Sequence, residues 1–431
     1  MRSNASLAER RSAAIPAGLA KHSDIYIERA ENAELWDVEG RRYVDFAAGI
    51  AVTNTGHRHP AVVERVKRQL DQFTHTSFQT TPYEDYVSLC ERLNALVPGD
   101  VPKKTFLVTT GAEAIENAAK IARAVTGRSA LIAFSGAFHG RTLLAMTLTG
   151  KTVPYKAGFG PLVGDIYHVP FPIAFHGVSV ADSLEALQQV FRVQADPSRV
   201  GAIFIEPVQG EGGFYPAPVP FLKALRRICD EHGILLIADE IQTGFGRTGK
   251  MFAMEHSGVN ADIVTMAKGL GGGFPIAAIT GRADLMDKIP AGGVGSTFAG
   301  NPLACAAAHA VLDVIEKEKL VERAQEIGKR IKARLEPWAN GNEFPTIGEV
   351  RGLGAMVAIE FVTDRATRAP AADLAKAVTK IALDSGLLVL NCGIRGNGVR
   401  LLPPLTIPFD LLDEGLDRLE AAIRQAQGEA R

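Results

Sequence analysis

Six short apolar runs, separated by stretches of helical periodicity, constrain this chain more than any other feature. They are TFLVT (105–109), ALIAF (130–134), AIFIE (202–206), ILLIAD (234–239), DIVTM (262–266) and IAAIT (276–280). A strand with one wet face alternates apolar and polar residues, whereas a strand covered on both faces is apolar at almost every position. Such runs, with helices between them, predict a mostly parallel sheet flanked by helices on both sides. Helical spacing is found at 113–125, 221–231 and 304–316.

The ends of the chain read differently. IYIERA, ELWDVEG and RRYVDFA alternate about a turn at Glu39 and Gly40 and predict a hairpin. Beyond Leu320 come a charged helical stretch, the run VRGLGAMVAIEF and a helix over 371–385, with a loop at 340–345. The expected organisation is therefore α/β: a large sheet domain over 60–320, and a smaller α+β domain made from 321–431 and joined by the N-terminal segment 1–59. At 431 residues the chain is long enough for two domains.

Composition narrows the function classes. A net charge of −1 offers no field for nucleic acid or an anionic membrane, so both are excluded as partners. Cys90, Cys229, Cys305 and Cys392 are scattered, with neither metal-ligand spacing nor a disulfide framework. They read as reduced thiols of a cytoplasmic protein, and no metal site is expected. The N-terminus has arginines but no apolar core of a secretory signal, and no run is long enough to cross a membrane.

Chemistry concentrates at the ends of the apolar runs. Asp239 closes the most apolar of them, at the carboxyl edge where open α/β sheets bind ligands. Lys268 follows the next run and precedes a glycine cluster, GLGGG, that lets backbone approach a ligand. A desolvated lysine is readily neutral, as Schiff-base formation with an aldehyde requires. A neighbouring carboxylate would keep a pyridine nitrogen protonated. In TFLVTTGAEAIENA, a helix opens at Gly111 and Ala112, and its free N–H groups suit a phosphate. Phe138 and His139 follow another run and place an aromatic ring where a planar cofactor could lie. GFGRTGK (244–250) fits part of a phosphate-binding loop, but Met251 stands where a Ser or Thr should hold magnesium, so an ATP-binding protein is the rival of another class.

ADEIQTGFGRTG, TMAKGLGGGFP, TTGAEAIENA, FHGRT and STFAGNP together resemble the class III aminotransferases of pyridoxal 5'-phosphate (PLP) fold type I. The likeness runs from about Ile15 to the C-terminus, with order and spacing kept. It points to the bacterial 4-aminobutyrate enzymes, with 5-aminovalerate aminotransferases almost indistinguishable. The resemblance implies that Lys268 carries PLP and moves the proton, that Asp239 meets the ring nitrogen, and that Gln242 lies on the phenolic oxygen side. It implies Phe138 stacked on the ring with His139 beside it. Gly111 and Ala112 would hold the phosphate, joined by Thr297 from a second subunit, so the expected assembly is a homodimer or homotetramer. The family often has Ser at the position of Ala112. The likeness further implies Arg141 on a distal carboxylate, Ile50 as pocket wall where ornithine-using relatives carry Tyr, Glu206 near the substrate, and Glu211 paired with Arg400. Amino acid and keto acid substrates follow, with 4-aminobutyrate and 2-oxoglutarate expected. An aminomutase on the same fold, needing no keto acid, stays open.

Overall fold

The computed structural model describes residues 2–428. Alternation within the apolar runs shows why each must be apolar throughout. Leu235 and Ile237 pack with Ile115, Ala118 and Ala122 of the helix Gly111–Thr126. Leu236 and Ala238 belong to the opposite layer, with Phe221 and Leu225 of the helix Val219–His232. Period-2 geometry sends neighbours to opposite faces, and here both faces are covered.

These runs form a seven-stranded sheet in the order Lys103–Val108, Ala277–Arg282, Ile263–Met266, Leu235–Asp239, Val200–Ile205, Ala130–Phe134, Ile166–Val169. Neighbours are parallel except at Ala277–Arg282, which runs antiparallel to both of its partners. All six expected runs are strands, with bounds shifted by up to two residues. The edge strand Ile166–Val169 escaped the sequence pattern because only Val169 is fully buried. The reversal of Ala277–Arg282 was equally invisible, since apolarity does not encode direction.

The N-terminal hairpin is a three-strand meander, Ile27–Glu31, Glu34–Asp37 and Arg42–Asp45. Leu387 and Leu388, from far down the chain, extend it by pairing parallel to Val44 and Asp45. The two ends of the chain thus share one sheet. A further antiparallel sheet joins Ile347–Leu353, Met356–Asp364, Gly398–Leu401 and Leu390–Cys392, backed by the helices Leu320–Asn340 and Ala372–Asp384. This is PLP fold type I: a mostly parallel sheet with a smaller α+β part built from both termini. Among the described residues, no helix is long and apolar enough to cross a membrane.

Candidate active site

The strands Leu235–Asp239 and Ile263–Met266 run parallel with Asp239 opposite Thr265, so Asp239 and Lys268 leave the sheet at the same edge. They line a cavity of about 510 Å³ that also gathers Gly111, Ala112, Phe138, His139, Arg141, Glu206, Glu211 and Gln242. That volume suits a cofactor with its substrate.

Asp239 is buried, and its Oδ2 lies 2.8 Å from Nδ1 of the equally buried His139. Its Oδ1 accepts from the Ile241 N–H at 3.1 Å. A carboxylate accepts about four hydrogen bonds, so room for another donor remains. Burial works to lower the His139 pKa, but Asp239 outweighs it by hydrogen bond and charge, and the net direction is up. Nε2 of His139 has no partner among the described residues.

Lys268 opens a single 3-10 turn, Lys268–Leu270, with φ of +44°. Burial, only partly offset by Glu211, holds its amine below the ordinary lysine range. Glu206 follows the strand Val200–Ile205 and accepts from the N–H groups of Phe138 at 2.9 Å and Gly210 at 3.0 Å. It thereby ties together the two loops that carry the aromatic ring and Glu211, and burial pushes its carboxyl up to about 7.

At the start of the helix Gly111–Thr126, Thr110 Oγ1 accepts from Glu113 N, while the Glu113 carboxylate accepts from the N–H groups of Thr109 and Thr110. This capping box leaves the N–H groups of Gly111 and Ala112 for a ligand. Opposite, Gln242 Oε1 is buried without a partner among the described residues. A Cβ on Gly210 would stand 2.3 Å from that oxygen, so only glycine lets the loop come so near.

At the mouth, Phe138 lies 5.0 Å from Tyr155, and the Arg141 guanidinium is 5.1 Å from the same ring. Arg141 is exposed and faces no carboxylate partner among the described residues. Arg400 is its opposite: buried on the strand Gly398–Leu401, it pairs with Glu211 through Nη1. Burial works against charge at both partners, yet each stabilises the other. Glu211 ends below the ordinary carboxylate range and Arg400 above the ordinary guanidinium range.

Three expected residues lie outside the cavity lining of the single chain: Ile50, Thr297 and Arg400, the last meeting it through its pair with Glu211. Ile50 is half-buried with φ of +66°, and Val52 occupies the wall near it. Thr297 is exposed, next to Phe298 at 61% exposure. Sequence reasoning missed Val52 and Tyr155, because neither stands in a distinctive spacing and only packing brings them to the site. The run 244–250 is no phosphate loop: all but Lys250 is buried, and only the short 3-10 turn Ala253–His256 follows.

PLP fits this donor set: a carboxylate with accepting capacity for a protonated ring nitrogen, a side-chain amide across the cavity whose oxygen has no partner among the described residues, two N–H groups for phosphate and a desolvated lysine between them. A family model, Aminotransferase class-III, matches residues 17–423. The chain is 52% identical over 419 residues to a 5-aminovalerate aminotransferase of Pseudomonas putida, covering 97% of this chain and 98% of that one. It is 51% identical over 427 residues to a 4-aminobutyrate aminotransferase of Escherichia coli, covering 99% and 100%. Among solved structures, an (S)-enantioselective omega-transaminase from Thermomicrobium roseum superposes with a TM-score of 0.91 at 29% identity, covering 99% of each chain. The chain belongs to the class-III aminotransferase family. It is a PLP-dependent aminotransferase.

Proposed function

We propose that the chain moves the amino group of 4-aminobutyrate to 2-oxoglutarate, giving succinate semialdehyde and glutamate by a ping-pong mechanism. The observation that carries this reading is the Glu211–Arg400 pair, which neutralises one buried arginine and leaves Arg141 as the unpaired guanidinium of the cavity. An ω-amino acid brings one carboxylate, and Arg141 receives it. 2-Oxoglutarate brings two, and the second displaces Glu211 and takes the fork of Arg400.

PLP, when bound, supplies an electrophilic carbonyl carbon and a ring that draws off carbanion charge. Lys268 holds the cofactor and carries the proton at Nζ, and its lowered pKa keeps a neutral amine accessible. Asp239, oriented by His139, accepts a hydrogen bond from the ring nitrogen. Phe138 covers the ring, Gln242 faces its phenolic oxygen, and Gly111 and Ala112 receive the phosphate. The Thr110 hydroxyl, which only accepts in the capping box, is free to donate where Ala112 offers none. Glu206 holds the Phe138 and Gly210 loops in register.

Thr297 and Phe298 stand clear of the protomer's own cavity, which supports a homodimer or homotetramer in which Thr297 completes the neighbour's phosphate site. In this reading residues 60–320 bear the cofactor, while 1–59 and 321–431 supply Arg400 and close the site.

The 52% identity to a 5-aminovalerate enzyme favours a second reading, one methylene longer. One methylene is worth about 1–3 kcal/mol in an apolar pocket. A kcat/KM panel over 4-aminobutyrate, 5-aminovalerate, ornithine, acetylornithine and putrescine decides between them. A 5-aminovalerate value above that of 4-aminobutyrate overturns the first reading, and turnover without added keto acid would instead mark an aminomutase.

A further inference from the structure

The run 244–250 carries a buried charge that the site above does not use. Arg247 is 0% exposed and, among the described residues, has no carboxylate at hydrogen-bond distance. Its Nη1 donates to the carbonyls of Ala355 at 3.2 Å and Pro403 at 2.6 Å, and its Nη2 to Asn54 Oδ1 at 2.7 Å. Its Nε has no partner among the described residues. Burial draws the guanidinium down to about 9, with only the more distant charge of Asp45 opposing. A charge kept in such a place is costly, so its use lies in what it holds.

What it holds is Asn54. That residue is 1% exposed; its Nδ2 donates to the Phe245 carbonyl at 3.0 Å, and its backbone carbonyl accepts from Leu405 N at 2.8 Å. The amide thus fixed lies against the turn that follows the cofactor lysine. A Cβ on Gly269 would stand 2.5 Å from Asn54 Nδ2 and 3.4 Å from Phe245 Cβ. Immediately before it, Lys268 adopts φ of +44° without being glycine. An L-residue in this region is disfavoured and persists only where its surroundings hold it.

We propose that Arg247 and Asn54 are positioning residues for Lys268: Arg247 fixes the Asn54 amide, and the amide backs Gly269 so that the turn Lys268–Leu270 keeps the lysine in its left-handed conformation. The proposal rests on Lys268 being the cofactor lysine. It also gives the glycine after that lysine a physical reason, since any side chain there collides with the amide. The charged groups that act on Lys268 are Glu211, Arg400, Asp239 and Glu206, and the substitutions below replace none of them. Burial disfavours the charged form of the Lys268 nitrogen, as a free amine or joined to the cofactor as a Schiff base, so a loosened turn that admits water raises the proton affinity that the visible band reads.

The test is a pH titration of the visible absorbance band of the PLP-loaded protein, with borohydride fixation mapped by peptide mass and thermal midpoints measured alongside. Asn54→Ala should raise the titration midpoint by at least about half a unit, a roughly threefold change in the proton equilibrium. Arg247→Lys, which keeps charge but loses the fork, should move it the same way by less. Gly269→Ala, whose methyl pushes on the amide directly, should also raise it and serves where Asn54→Ala fails to fold. Midpoints unmoved or lowered in the folded variants, with thermal stability reduced, overturn the proposal and leave Arg247 and Asn54 as packing alone. Lys268→Ala separates the two ideas. If that variant still yields a borohydride-fixed band, the cofactor lysine lies elsewhere; if it does not, the midpoints of the other variants judge the positioning role.

Discussion

The floor and the mouth of the cavity are built on opposite principles. At the floor, Asp239 and His139 are buried and Lys268 is half-buried, all on the carboxyl side of parallel strands, and Asp239 and His139 are locked by side-chain or backbone hydrogen bonds. At the mouth, Arg141 is exposed on a loop, leaning on Tyr155, and the second arginine is silenced by Glu211. Rigid strand ends suit chemistry that is the same in both half-reactions. Loops and a breakable ion pair suit recognition that must alternate between two unlike substrates.

The largest effect should come from the floor. Lys268→Ala should cost several orders of magnitude in both half-reactions, measured by single turnover. A loss under about tenfold, some 1.4 kcal/mol of barrier, would mean that the chemistry sits elsewhere. Asp239→Asn comes next: it keeps the shape, so PLP should still bind and colour the protein, while both half-reactions slow together.

Arg400→Ala tests the mouth, and its signature is inequality. The 2-oxoglutarate half should lose at least roughly 1.5–3 kcal/mol more than the 4-aminobutyrate half, the worth of a hydrogen bond to a charged group. Stopped-flow traces with equal losses in both halves would erase the distinction between floor and mouth. Glu211→Gln should free Arg400 and improve glutamate as a donor relative to 4-aminobutyrate.

The smallest effect concerns stability beneath the floor. Glu240, next to Asp239, is 0% exposed and accepts from Thr243 Oγ1, Ala253 N and Met254 N. Burial pushes its carboxyl from 4.5 up to about 7. Between about pH 4.5 and 7 the unfolded chain has released that proton while the folded chain keeps it, so this group lowers stability as pH rises through the window. Glu240→Gln should therefore flatten the fall of Tm across that range, and an unchanged slope would show the carboxyl ionises freely where it lies.

Much of the floor was legible in advance because its signals are local. An apolar run ending in Asp239, another ending before Lys268 and a helix opening at Gly111 each need only a short window of sequence. The mouth was legible mainly through likeness to a family. Tyr155 and Val52 were not legible at all, since a lone tyrosine or valine carries no spacing that marks it.

By itself, then, the sequence determined the six apolar strands of the large sheet and the residues that follow them at its carboxyl edge, because periodicity and burial act within a dozen residues. Only the tertiary structure decided the reversed strand Ala277–Arg282, the sheet shared by both chain ends, and the partners of Arg247. It also joined His139 to Asp239 across 100 positions, and Arg400 to Glu211 across 189. Those contacts depend on how layers dock, and docking sums weak preferences over the whole core that no short window of residues contains.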